Sequence, residues 1–206
     1  DPDQVIEMSN SALEVGAAGV MIMTPYYWKP SKDSVRAFFE AVLPKIGLPV
    51  MLYNNIPATQ MDLPLDILTE LAQRENVAAI KECTPKFVKL ERVVGKLSGK
   101  ISVINGNGEF WEPYATLMGC SGFASGLVNF APNRTIEIMQ AARNGDYDRV
   151  FEIKRSLQPY FDFFFDKTEK YGMSVEPDIL KTASSFVGSE VGPSKPPVTR
   201  LNNEDS

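Results

Sequence analysis

Val77-Ala78-Ala79-Ile80-Lys81-Glu82 is a run of four apolar residues that ends on two charges. A strand with one wet face alternates apolar and polar residues. An unbroken apolar run points instead to burial on both faces, as in a parallel sheet. Three other runs share this character: Gly19 to Thr24, Leu48 to Tyr53 and Ile101 to Asn105. A fifth, Gly122 to Val128, is weaker because Gly122 and Gly126 interrupt it.

Helical patterns fill the intervals. Asp1-Pro2 reads as an N-cap followed by proline at the first helical position, ahead of Val5, Met8, Ala12 and Val15. Ser31 can cap a helix with Val35, Phe38, Phe39 and Val42 on one face and Gly47 as its stop. Leu63 to Arg74 is predicted helical, with Leu65, Leu68, Leu71 and Ala72 inward. Thr84-Pro85 repeats the cap-plus-proline signal before Val88, Val93, Val94 and Leu97, and Glu109–Met118 and Pro132–Arg143 supply two more crossovers. Beyond Gly145 the rhythm changes: a long aromatic helix over Tyr147–Lys170, bent at Pro159, then a helix over Pro177–Val187 and a proline-rich polar tail. The aromatic series Tyr160, Phe161, Phe163, Phe164 and Phe165 reads as helix core or subunit interface.

Strands alternating with helices define an α/β chain with a parallel sheet. An open doubly wound sheet and a closed eight-stranded barrel both satisfy the pattern. Gly106-Asn107-Gly108 is too short for a dinucleotide-binding loop, which weakens the open-sheet reading.

The composition narrows the chemistry. The chain has 206 residues and no histidine, which removes the commonest general base, the commonest zinc ligand and every Ser-His or Cys-His pair. Protons must then move through Lys, Tyr, Glu, Asp, Cys or water. With 21 Lys and Arg against 26 Asp and Glu, the net charge is −5, which disfavours nucleic-acid binding. Cys83 and Cys120 form neither a disulfide framework nor a metal cluster and suit a reducing compartment. No apolar run approaches the roughly 20 residues of a membrane span, so no membrane partner and a cytoplasmic location are expected.

Functional groups of parallel α/β folds gather at the carboxyl ends of strands. Those ends read Thr24-Pro25-Tyr26-Tyr27, Tyr53-Asn54-Asn55, Lys81-Glu82 and Asn105-Gly106-Asn107-Gly108-Glu109. Lys81 follows a buried run, and an ammonium that loses solvation moves toward the neutral amine that attacks carbonyls. A lysine that pairs with a carboxylate or snorkels to solvent fits the same residues, and the two readings stay open. Tyr53 on the neighbouring strand could pass protons to a reacting oxygen or merely cap the sheet end. Tyr26, Tyr27 and Trp28 could pack or form a contact surface. Glu82 points away from Lys81 and is expected to pair or cap.

Together these segments resemble the dihydrodipicolinate synthase / N-acetylneuraminate lyase family of class I, Schiff-base aldolases. The matching pieces are Thr24-Pro25-Tyr26-Tyr27 with Lys29-Pro30, Leu48 to Asn54 with Pro57 and Thr59, Ile80-Lys81-Glu82 with Thr84, Asn105-Gly106, and Gly122 with Asn129-Phe130-Ala131-Pro132. The resemblance implies a TIM (β/α)8 barrel with extra C-terminal helices, here without its first three strands. On that reading residues 1–145 hold the barrel units and 146–206 the added helices and tail. It implies an imine between Lys81 and the ketone of pyruvate or another 2-keto acid. Tyr53 would shuttle the proton, and Tyr27 would join a relay across a dimer contact. Asn105, main-chain groups near Gly106 and Ala124, and Thr59 would line the substrate. No cofactor is implied, and the expected assembly is a homotetramer built as a dimer of dimers.

Three departures qualify the resemblance. The family's Gly-Thr-Thr-Gly-Glu motif is absent, and three strands are missing, so the chain is expected to be a piece of a longer barrel with exposed, aggregation-prone edges. The loop Asn55-Ile56-Pro57-Ala58-Thr59-Gln60 carries Ala58 where the synthases have a carboxylate-binding arginine. That favours aldol cleavage or dehydration of a 2-keto-3-deoxy acid over the synthase reaction. A non-catalytic keto-acid-binding or interaction role on the same fold, and an open-sheet ligand-binding domain, are the alternatives. The particular 2-keto acid is not legible from the residues.

Overall fold

The computed structural model describes residues 1–202, 204 and 205, in two compact units, Asp1–Ala124 and Ser125–Ser206. The first unit holds β1 (Val20–Met23), β2 (Val50–Asn54), β3 (Val77–Glu82), β4 (Ser102–Asn105) and β5 (Gly122–Phe123). They form one sheet in the order β1-β2-β3-β4-β5, every neighbouring pair parallel. Its helices are α1 (Pro2–Glu14), α2 (Lys32–Val42), α3 (Ile56–Thr59), α4 (Leu65–Leu71), α5 (Phe87–Leu97) and α6 (Tyr114–Met118).

One face of the sheet is sealed. Ile22, Val50, Leu52, Val77, Ile80 and Val103 pack with Phe39 and Val42 of α2, Ile67 and Leu68 of α4, and Leu90 and Val94 of α5 in a single core. The apolar stripes of α2, α4 and α5 turn inward, although Val88 of α5 is exposed; on α1 the expected stripe is not buried, since Met8 and Val15 face outward. The opposite face is open: Met21 is exposed and Met23, Met51, Tyr53, Lys81 and Ile104 are only partly buried. The expectation of burial on both faces therefore fails, because five strands do not close on themselves.

Local signals succeed where a cap is unambiguous. Asp1 caps α1 through Asp3 N at 3.0 Å, and Ser31 caps α2 through Ser34 N at 3.1 Å. They fail where backbone geometry intervenes. Thr84-Pro85 does not start a helix; Thr84 Oγ1 accepts from Lys86 N at 3.3 Å in a turn, and α5 begins two residues past the proline. Glu109–Met118 splits into a 3-10 turn over Gly108–Trp111 and the short α6, interrupted by the cis peptide Glu112-Pro113. The predicted strand from Gly122 to Val128 contracts to Gly122–Phe123, and Leu127–Asn129 turn as a 3-10 helix.

In the second unit α7 (Pro132–Arg143) is followed by α8 (Tyr147–Tyr171), which runs on through Pro159, and by α9 (Glu176–Phe186). Phe161 and Phe164 are buried on α8, whereas Phe165 is exposed. Among its described residues the tail has no helix or strand but is tied down: Asp178 accepts from Leu201 N at 2.9 Å, and Asp205 accepts from Lys170 and Tyr171, each at 2.6 Å. Among the described residues no helix is long and apolar enough to cross a membrane.

Gln60 closes α3 with φ of +54°, the left-handed conformation, and donates its N–H to Ile56 O at 2.8 Å. A non-glycine residue there costs about 1–2 kcal/mol, against about 0.5–1 kcal/mol of extra unfolded-state entropy for glycine. Gln60→Gly is expected to raise the urea-unfolding stability by about 0.5–1 kcal/mol. A lowered midpoint would contradict the strain.

Candidate active site

Parallel pairing of β2 with β3 sets Tyr53 beside Lys81 and Asn54 beside Glu82, and β4 continues the row with Ile104 beside Lys81 and Asn105 beside Glu82. Because side chains alternate along a strand, the row divides by face. Tyr53 and Lys81 look out over the open side, while Asn54, Glu82 and Asn105 are buried beneath the sheet end.

On the open side Lys81 Nζ lies 4.5 Å from the centre of the Tyr53 ring, within cation–π range. Asn55 Nδ2 donates to Tyr53 Oη at 2.7 Å, and Cys83 Sγ lies 4.0 Å from the same oxygen. An amine, a phenol and a thiol thus share one small surface without any imidazole. Gly106 makes the close approach possible, since a Cβ there would fall 2.1 Å from Cys83 Sγ and 3.0 Å from Glu82 O.

The buried side is a polar brace. Asn54 Nδ2 donates to Glu82 at 2.8 and 3.0 Å and to Asp62 Oδ1 at 3.1 Å, and Asn54 Oδ1 accepts from Leu63 N at 3.0 Å. Glu82 Oε1 also accepts from Thr84 N at 2.9 Å, which accords with the expectation that this residue pairs or caps. Lys89, from α5, reaches Asp62 Oδ1 at 2.8 Å and Leu63 O at 2.6 Å. Lys81 therefore stands on a strand end whose underside is fastened to the loops on either side of it.

The other predicted site residues fall differently. Thr59 is fully buried, with Oγ1 near Asn55 O at 2.9 Å and Met61 O at 3.1 Å, so its side chain shapes the loop. Asn105 donates to Gly108 O at 2.9 Å and Glu112 Oε1 at 3.1 Å and accepts from Asn107 N at 2.8 Å. Its side chain is thus engaged away from Lys81. The amides of Gly106 and Ala124 continue the ladder to Glu82 O and Asn105 O, both at 2.9 Å. Tyr27 is 82% exposed on the loop after β1, edge-to-face with Trp28. Residue spacing did not single out Asp62, Lys89 or Cys83; the one available signal was a charge, Glu82, at a core-facing position of a strand. Among the described residues no group of three or more acidic, cysteine or histidine side chains is placed to hold a metal ion.

Burial pushes the Glu82 carboxyl up to about 7, with the Asp62 charge adding to the rise and Asn54, Lys89 and Thr84 N opposing it. The folded state then binds a proton that the unfolded chain releases near 4.5, so Glu82 costs stability as pH rises from about 4.5 to 7. Glu82→Gln should escape that loss. Relative to the parent chain, its unfolding free energy should improve between pH 5 and pH 8 by about 2–3 kcal/mol. Urea titrations at the two pH values check this, and a pH-independent difference would show that Glu82 stays ionised.

Comparison with known proteins gives these residues a context. Residues 3–206 match the model of the dihydrodipicolinate synthetase family. A 4-hydroxy-tetrahydrodipicolinate synthase of Methanocaldococcus jannaschii is 31% identical over 203 residues, 98% of this chain and 67% of the relative. The solved dihydrodipicolinate synthase of Aquifex aeolicus superposes with a TM-score of 0.89 at 27% identity, over 100% of this chain and 68% of that one. An Acinetobacter baumannii dihydrodipicolinate synthase, described as chloride-inhibited and complexed with pyruvate, gives 0.85 at 25% identity over 97% and 66%. The chain thus spans about two thirds of the length of these relatives, and its five parallel strands are part of their TIM-barrel fold. With a family match over nearly every residue and a shared fold, the chain belongs to the dihydrodipicolinate synthetase family.

Proposed function

We propose that this chain carries the lysine of a class I, Schiff-base lyase acting on pyruvate or another 2-keto acid. The observation that carries the reading is the Lys81 amine 4.5 Å from the Tyr53 ring centre, on paired strand ends. The neutral Lys81 amine adds to the ketone carbon, and loss of the carbinol oxygen as water leaves a protonated imine. That imine is an electron sink: it accepts the electron pair released when a neighbouring C–C bond breaks or a proton leaves. Tyr53 exchanges protons with the departing or arriving oxygen, which is how a site without histidine manages acid–base work. Tyr27, 82% exposed, is assigned to a relay completed by a second copy of the chain. Asn105, main-chain groups near Gly106 and Ala124, and Thr59 in the loop after β2 are assigned to the substrate side.

Aldol cleavage or condensation, or dehydration of a 2-keto-3-deoxy acid, is the reaction class we favour, because Ala58 occupies the position where the resemblance leads one to expect a carboxylate-binding arginine. The synthase reaction is the second reading, favoured by the names of the relatives. Within the proposal residues 1–145 are barrel units and 146–206 added helices, the assembly is a dimer of dimers, and the location is the cytoplasm.

Borohydride reduction in the presence of pyruvate should add one reduced pyruvyl group per chain, located at Lys81 by peptide mass mapping and abolished in Lys81→Ala. Labelling at another lysine, or none, would overturn the imine. Assays for 4-hydroxy-tetrahydrodipicolinate formation and for cleavage of 2-keto-3-deoxy acids then separate the two reaction classes, with cleavage expected to dominate.

A further inference from the structure

Two side chains among the described residues reach the Tyr53 oxygen, and they are unequal. Cys83 Sγ, at 4.0 Å, is at the outer limit of a sulfur hydrogen bond. Asn55 Nδ2, at 2.7 Å, is a short, well-formed donor. The orientation of the Asn55 amide is dictated by its other end. Asn55 is the N-cap residue of α3, and its Oδ1 faces Ala58 N at 3.4 Å, a group that can only donate. The amide oxygen therefore lies toward the helix and the NH2 toward the phenol.

The polarity of that contact matters. Tyr53 Oη accepts from Asn55, so its own O–H is left to point at another acceptor on the open face, where Lys81 Nζ sits over the ring. We infer that Asn55 is the positioning residue of Tyr53, holding the phenol as a proton donor to the oxygen that leaves when Lys81 forms its imine.

This rests on the imine reading given above. In the step concerned, the nitrogen lone pair of the Lys81 carbinolamine forms the C=N bond. The C–O bond breaks, and the oxygen takes the Tyr53 proton and departs as water. The phenol oxygen becomes negative, and the N–H of Asn55 is already aimed at it. A hydrogen bond to a charged oxygen is stronger than one to a neutral phenol, so the contact favours the transition state over the ground state. Asn55 touches neither substrate nor Lys81 in this scheme; it acts through Tyr53.

Asn55→Asp separates this role from capping, because a carboxylate still accepts from Ala58 N but cannot donate to the phenol. The readout is the time course of the borohydride-trapped pyruvyl adduct, followed by intact mass in Tyr53 and Tyr53→Phe backgrounds. Asn55→Asp should slow adduct formation about 10-fold or more in the Tyr53 background and less than about twofold in Tyr53→Phe, with the final adduct level unchanged. Equal slowing in both backgrounds, or none in the first, would overturn the inference. A second measurement is independent of turnover: the 13Cζ resonance of Tyr53, assigned by its loss in Tyr53→Phe, should move in Asn55→Asp and Asn55→Ala. An unmoved resonance overturns the contact itself. A moved resonance in a chain that traps no pyruvate overturns the imine reading and the catalytic role together, and leaves the contact standing.

Discussion

The register between β2 and β3 is the constraint on which the site depends. Pairing Tyr53 with Lys81 and Asn54 with Glu82 puts one pair above the sheet and the other below it. A slip of one residue between the two strands would put the amine and the phenol on opposite faces of the sheet. Hydrophobic patterning along Val50–Leu52 and Val77–Ile80 sets that register, and the Asn54–Glu82 contact pins it at the functional end. The buried carboxyl is costly where it sits. Its two faces of use, toward Asn54 and toward Thr84 N, account for its presence better than any contribution to stability.

Much of this was legible beforehand. Unbroken apolar runs located the strands, and the polar residues that end them located Lys81 and Tyr53. Parity along β3 was enough to turn Glu82 away from its neighbour. What could not be read came from chain segments that meet only after folding. Asp62 and Lys89 enter through a loop and a different helix, and neither sits in a pattern that distinguishes it from a solvated charge. Thr84-Pro85 misled because a threonine before proline serves a turn as well as a cap, and Glu112-Pro113 broke a helix that apolar spacing alone would have continued. The expectation of two buried faces followed from the unbroken apolar runs of a parallel sheet, whereas one face of this sheet is only partly covered.

The loop after β2 is one place where the chain departs from the pattern it otherwise resembles, and it also carries unusual backbone. Asn55 begins it with a side chain bonded to Tyr53, Thr59 fills its interior, and Gln60 ends it left-handed. Ala58 lies among them without a charge. The shape of the loop and the support of the phenol are thus vested in the same six residues, so changes that alter one are felt by the other.

The brace beneath Lys81 also bears on the order of assembly. Asn54 and Glu82 are 28 positions apart, and Lys89 and Leu63 are 26 apart. Contacts of that separation repay their loop-closure cost only once the intervening helix has docked. Amine and phenol therefore meet late, after the β2–α4–β3 crossover has condensed. The meeting of the Lys81 amine with the Tyr53 ring is in that sense a reporter of completed folding, absent from any intermediate that has its strands but has not yet joined them.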